Sequence, residues 1–500
     1  MKMWMSGVLL ILPVLVYAQS NVASHFRIID FKLKGRIENV IPADLDQDGV
    51  KELLVIHHYP ALNPSHRYLS VYWALPGGRY APNQVVEVEI PQRFTLFDFG
   101  NLPGQPGEVV IMVSRNTAEY YRYENKTIEG PLPLLNFSNQ LIQISDPDQL
   151  LYYDFLYDWN NDGKNEIMIY QIGDADLFYF QDGKWIKTTI DLPMSARYFS
   201  ITPLRRIFPH SELSVHYSTP NMFISDREGD GKSELFVIED ENIWIFRQNE
   251  KGIYEQKPSI KLKMNLTDPK EQARRRDQLT LTIVDIDDDG KADLISNYQH
   301  GSFFNQKADL KIFYGKDRWT DLGPKAKPGR AWALNSWVIG PFVKDMNADK
   351  SSDMVMPTIQ IGVISAAQVL IANNFPFEFK YYLSINHTLP PEPTYVDQVR
   401  LYIDFKEGKL SGGFPNIFGD FNGDGIDDLV FSKNDQEMVV VIKDRQSKRT
   451  DKQEIIKIAT AILPLVEDVN GDGLGDIILT YPMDTERPNE FKLLINQGNW

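Results

Sequence analysis

Seven segments of this chain place oxygen-bearing side chains at the first, third, fifth and ninth positions of a short loop. The first uses Asp44, Asp46, Asp48 and Glu52, the second Asp158, Asn160, Asp162 and Glu166, and the third Asp226, Glu228, Asp230 and Glu234. The fourth and fifth use Asp285, Asp287, Asp289 and Asp293, and Asp345, Asn347, Asp349 and Asp353. The last two use Asp420, Asn422, Asp424 and Asp428, and Asp468, Asn470, Asp472 and Asp476. Hard oxygens crowded into so short a loop suit Ca2+, which takes six to eight oxygen ligands in flexible geometry. Position seven would add a main-chain carbonyl. Glycine at position six, replaced only by Lys350, permits the sharp turn that aims the oxygens inward. The expected cofactor is structural Ca2+ at up to seven sites.

Two other chemistries begin with similar residues and fail on spacing. An EF-hand needs a bidentate Glu at position twelve. Here that position holds Val55, Ile169, Val237, Ser296, Met356, Phe431 or Leu479. Gly231-Lys232-Ser233 resembles the tail of a phosphate-binding loop, but Asp226 stands where the leading glycine is required. An eighth frame, counted from Asp98, has Gly100, Leu102 and Pro106 at ligand positions and is expected to hold no metal.

The elements that must position these loops recur with them. An apolar segment leads into each loop, as at Leu279–Val284, and an apolar or β-branched run leaves it, as at Ile477–Thr480. One or two further strand-like segments follow. Four short strands per repeat, with successive frames 48 to 75 residues apart, is the pattern of a β-propeller. A lone four-strand unit cannot bury its two faces, so the units must stack. The expected fold is all-β, an eight-bladed β-propeller with seven blades as the alternative. The last unit has no fourth strand, and Phe26–Lys34 has no blade of its own. Pairing the two would cover an open edge and close the ring. Val363, Ala366, Ala367, Leu370 and Ile371 follow helical spacing and predict one helical insertion in the sixth unit.

Composition narrows the function classes. The 500 residues are 43% hydrophobic and 24% charged, which is globular. There is no cysteine, which excludes disulfides, thiolate metal sites, a cysteine nucleophile and a lipid anchor on cysteine. A net charge of −16 argues against nucleic acid as a partner. Lys2, the apolar run Gly7–Tyr17 and the small residues Val16 and Ala18 read as a signal peptide over 1–18. The remaining 19–500 then form a single propeller domain with no membrane span, exported to the periplasm, the cell surface or the medium.

The loop followed at once by an apolar strand, as in DLDQDGVKELLVI from Asp44, resembles the FG-GAP/VCBS repeats of integrin-alpha-like β-propellers. The resemblance runs through all eight frames and so covers nearly the whole of 19–500. It implies that each acidic loop joins the innermost strand of a blade to the second, so that the calcium loops share one face. Long connections expected on the other face are His57–Tyr68, Met194–Asn221, Asp268–Gln278, Asn297–Gln306 and Thr320–Ser336. They carry the candidate ligand-binding residues His57, His58, Arg205, His210 and His300. The implied function is a binding or adhesion scaffold for a protein or glycan. The same family includes polysaccharide lyases, so a lyase or glycoside hydrolase on this propeller is the alternative. No HExxH, GxSxG or triad spacing is present, and no catalytic residue is assigned.

Overall fold

The computed structural model describes residues 25–59, 66–142, 150–201, 212–268, 270, 277–302, 305–360, 374–404, 409–411, 413–443, 451–482, 484–498 and 500. The helical pattern at 363–371, the segment 1–18, Arg205 and His210 lie outside the described residues. Within them the chain forms eight successive antiparallel sheets, the blades of a β-propeller. Blade 1 is typical, with strands Arg36–Ala43, Glu52–Tyr59, His66–Tyr72 and Val86–Ile90 in sheet order. A single α-helical turn, Trp319–Leu322, lies in blade 5.

The second strand of each blade explains why its sequence is apolar without alternation. Leu53 and Val55 face blade 8, whereas Leu54 and Ile56 face blade 2. Val109, Ile111 and Val113 of blade 2 face blade 3, and Val110 and Met112 face back to blade 1. Eight apolar clusters result, one between each neighbouring pair of blades. A strand buried on both faces reads as a continuous hydrophobic run. No blade owns a core, so stability comes from stacking blade on blade.

The ring closes through both ends of the chain. Strand Phe26–Lys32 pairs antiparallel with Glu490–Asn496, in register from Phe26 opposite Asn496 to Lys32 opposite Glu490. It becomes the outer strand of blade 8, whose other members are Asp476–Thr480 and Leu465–Glu467. Phe31 stacks on Phe491 at 4.3 Å and meets Tyr72 of blade 1 edge-on at 4.9 Å.

Blade 2 departs from the pattern. Leu151–Tyr152 adds a parallel strand on the inner side of Leu96–Asn101. The frame counted from Asp98 is also displaced. Asp98 lies within the first strand and is buried, and the turn is Leu102–Gly107, six residues against eight between paired strand ends in blade 1.

Candidate functional site

Six of the seven acidic loops lie between the inner and the second strand of their blades, and the blade 7 loop lies between the single bridge of Asn416 to Val430 and the strand Leu429–Asn434. The loops share one internal wiring. The position-one carboxylate accepts the N–H of position six in all seven, at 2.6–3.2 Å. The position-five carboxylate accepts the N–H of position seven at 2.8–3.0 Å. These bonds need left-handed backbone at positions four and six. Gly49, Gly163, Gly231, Gly290, Gly425 and Gly473 supply it at position six, with φ of 80–84°. Lys350 follows the same path at φ 68° despite its side chain. At position four the left-handed residues are Gln47, Asn161, Gly229, Asp288, Ala348, Gly423 and Gly471. That second turn was readable as a column of small or polar residues, but the sequence reading passed over it.

The position-nine carboxylate is the first residue of the following strand in six loops and immediately precedes Leu429–Asn434 in blade 7, and it is buried in all seven. One oxygen accepts the position-two N–H, from Leu45, Arg227, Ile286, Met346, Phe421 and Val469, at 2.8–3.1 Å. The other accepts an N–H at the end of the third strand: Gly315, Ser384, Lys443 and Asn496, at 2.6–2.7 Å. This carboxylate therefore clasps loop to blade. Burial pushes Glu52, Asp293, Asp428 and Asp476 up to about 7, and Glu166 to about 8, against the opposing pull of these N–H groups.

The loops also join one another around the ring. Lys51 N–H donates to Val469 O, Asp44 N–H to Glu108 Oε2, Asn165 Nδ2 to Asn101 O, and Asn160 Nδ2 to Gly252 O. Ala292 N–H donates to Asp226 O, Ser352 Oγ to Asp288 Oδ1, Lys344 Nζ to Asp427 Oδ2, and Gly475 N–H to Asp420 O. All eight inter-blade junctions are crossed, so the loops form one closed belt at one end of the propeller.

The loops differ in how well they suit a metal. Among the described residues, two acidic triads converge, with oxygens all within 4.8 Å of one another: Asp44, Asp46 and Glu52, and Asp285, Asp287 and Asp289. Asp44 Oδ1 and Asp287 Oδ1 are buried with no hydrogen-bond partner. A buried unpaired carboxylate oxygen is costly, and a cation would satisfy it. These all-oxygen donor sets would suit a hard cation such as Ca2+. In the blade 5 loop the Lys316 ammonium already contacts Asp287, a protein cation where a metal would help. In the blade 4 loop Glu228 is gripped by Arg227 and Arg247. In three of the four loops with Asn at position three, that amide donates to the position-five carboxylate, at 2.9–3.1 Å.

The described candidate histidines, His57, His58 and His300, are strand residues, not loop residues. His57 and His58 end Glu52–Tyr59, and His300 lies in Asp293–Ser302. Blades 1 and 5 stand half a ring apart, so these residues do not meet. His57 is fully buried, with Nε2 2.9 Å from Ser70 Oγ and 3.1 Å from Glu87 Oε2. One ring nitrogen facing both groups, on a buried serine, is not a nucleophile–base–orienter relay. Burial lowers the His57 pKa despite Glu87. His58 Nδ1 lies 2.8 Å from Glu38, and His300 stacks on Tyr298 with Nε2 3.3 Å from Asp309. The connection beginning at Thr320 follows the third strand of blade 5, so it starts at the acidic-loop end rather than opposite it.

Met194–Asn221 holds a feature the sequence reading missed. Ser195–Ile201 and Glu212–Ser218 form a hairpin that pairs with no other strand among the described residues. Tyr198 sits opposite Val215, and Ala196 opposite Tyr217, so these side chains share one face. Tyr198 is 69% exposed and Tyr217 44%. Alternating Arg-Tyr-Phe and Val-His-Tyr in the two segments was the available signal.

Residues 226–296 match the FG-GAP-like repeat family. They span the acidic loops of blades 4 and 5 and the strands between them. No curated protein matches the chain. Solved structures resemble it at low identity. One is an Agrocybe aegerita lectin described as recognising non-reducing terminal N-acetylglucosamine, at 10% identity and TM-score 0.33, covering 93% of this chain and 87% of that one. Another is the V. cholerae biofilm matrix protein Bap1, at 11% identity and TM-score 0.27, covering 82% and 88%. The propeller of Dos1 gives 10% identity and TM-score 0.40, covering 95% and 97%.

Proposed function

We propose that this protein is an exported, calcium-stabilised propeller that acts as a binding scaffold, taking a glycan or protein partner at the end opposite the acidic loops. The division of labour between the two ends carries this reading. One end is a closed belt of carboxylate-rich loops with buried unpaired oxygens at Asp44 and Asp287. Asp44, Asp46 and Glu52, with Asp285, Asp287 and Asp289, would hold the best-formed Ca2+ sites. The metal would supply positive charge that neutralises the crowded carboxylates, and its binding energy would add to ring stability. The other end raises a hairpin exposed on both faces over residues 195–198 and 215–218, with two aromatic rings on one of them. Exposed, rigid tyrosines are effective contact residues because they bury much area at low entropic cost.

Two measurements on the full chain test the reading. Calcium should raise the melting temperature over a chelator-treated sample, by an amount that grows with the logarithm of free calcium above Kd. A glycan array and a panel of surface proteins should then identify a ligand whose binding falls at least tenfold in Tyr198→Ala/Tyr217→Ala with melting unchanged. No calcium-dependent stabilisation would remove the metal half. A ligand unaffected by the double substitution would remove the hairpin.

A further inference from the structure

At the acidic-loop end, between blades 4 and 5, lies a cleft of about 460 Å3 lined by Arg227, Arg247, Lys291, Arg318, Glu228 and Asp321, with Gly315 and Thr320. Four cations face two carboxylates, a local excess of positive charge in a chain whose net charge is −16. The two carboxylates do not neutralise the group. Glu228 is shared by Arg227 and Arg247, and Asp321 by Arg227 and Arg318. Arg227 is the fixed member: its side chain is 9% exposed, and Nε donates to Thr320 Oγ1 at 2.9 Å. Arg247 and Arg318 each pair with a single carboxylate, Arg318 through both Nε and Nη2, and their side chains are 45% and 78% exposed. Lys291 makes no ion pair among the described residues and lies against Gly229.

We propose that this cleft is a binding site for an oxyanion group, a carboxylate or sulfate, carried by an acidic glycan or free in solution. Arg247, Arg318 and Lys291 come from three different connections of two blades, so their donors converge from separate sides, and forked guanidinium donors match planar or tetrahedral oxyanions. The acidic loops of blades 4 and 5, which supply Arg227 and Lys291, also carry Asp226, Asp230 and Asp289, whose charges oppose an incoming anion. Calcium on those loops would relieve that repulsion, so the affinity is expected to rise with calcium. This last point rests on the calcium reading, whereas the cleft does not.

The test is calorimetric titration of the full chain with sodium sulfate and, separately, with a uronate-containing oligosaccharide, each with calcium and with chelator. The wild type should bind at least one probe. The variant Arg247→Ala/Arg318→Asn should bind about tenfold or more weakly, because it loses two charge-assisted donors. Asn is chosen because position 318 is left-handed, at φ 55°. Both side chains are on the surface, so melting should be unchanged. Equal affinity for the two probes assigns the site to the anion itself, and much tighter binding of the oligosaccharide assigns it to an acidic glycan. No heat with either probe under either condition, or a variant that binds as the wild type does, overturns the proposal. Anion binding that is identical with calcium and with chelator keeps the cleft and removes the link to the metal.

Discussion

Phe31→Ala should loosen the whole ring, because Phe31 holds the strand that closes it. Its ring is 1% exposed, stacks on Phe491 of the partner strand and touches Tyr72 across the junction with blade 1. Leu53, Val55, Leu493 and Ile495 belong to the same buried cluster. Truncating a buried phenylalanine to alanine costs about 3–5 kcal/mol, transfer and cavity together. Ile28 is an internal control: it lies on the same strand at 41% exposure, and Ile28→Ala should cost less than about 1 kcal/mol. At about 2 cal/mol/K of unfolding entropy per residue, a ring of this length has about 1 kcal/mol/K. Unfolding as one unit then converts the loss into only about 3–5 °C. Denaturant titration therefore measures it better than melting, with hydrogen exchange mass spectrometry to locate it. Exchange should accelerate in every blade, since each blade's core belongs equally to its neighbour. Stability within about 1 kcal/mol of wild type, or faster exchange confined to Phe26–Lys32, would refute the reasoning.

Two further outcomes follow from the loops and from blade 2. Lys350→Gly should stabilise the protein by about 1 kcal/mol in denaturant titration, because it removes a side chain from left-handed backbone at φ 68° while keeping the N–H that Asp345 accepts. Asp98 is pushed up to about 6 by burial, although it accepts N–H groups from Phe99, Phe155 and Leu156. A folded-state pKa above the unfolded value gives stability that is complete below about pH 4 and lost as pH rises through about 6. Relative to Asp98→Asn, the wild type should lose about 2–3 kcal/mol between pH 4 and 7; a gap that stays constant or widens means that the three N–H bonds outweigh burial.

The loop positions, the repeat and the count of blades were legible in the sequence because each is local. An Asp at position one and a Gly at position six act within a few residues, and a two-sided strand announces itself as an unbroken apolar run such as Leu53–Ile56. The unmatched strand at each end could likewise be counted. The placement of His57, His58 and His300 in strands rather than loops was not legible, for a complementary reason. His57 ends an apolar strand, and only the neighbouring strand, bringing Ser70 and Glu87 to its ring, makes it a buried partner rather than a displayed one. The Asp98 frame slipped because the blade 2 turn is two residues shorter, and strand register is set by cross-strand hydrogen bonds rather than by spacing along the chain. The belt of inter-loop bonds, the clasp of the position-nine carboxylates and the cationic cleft between blades 4 and 5 join residues far apart in sequence. Ring closure decides them, by fixing which loop stands beside which.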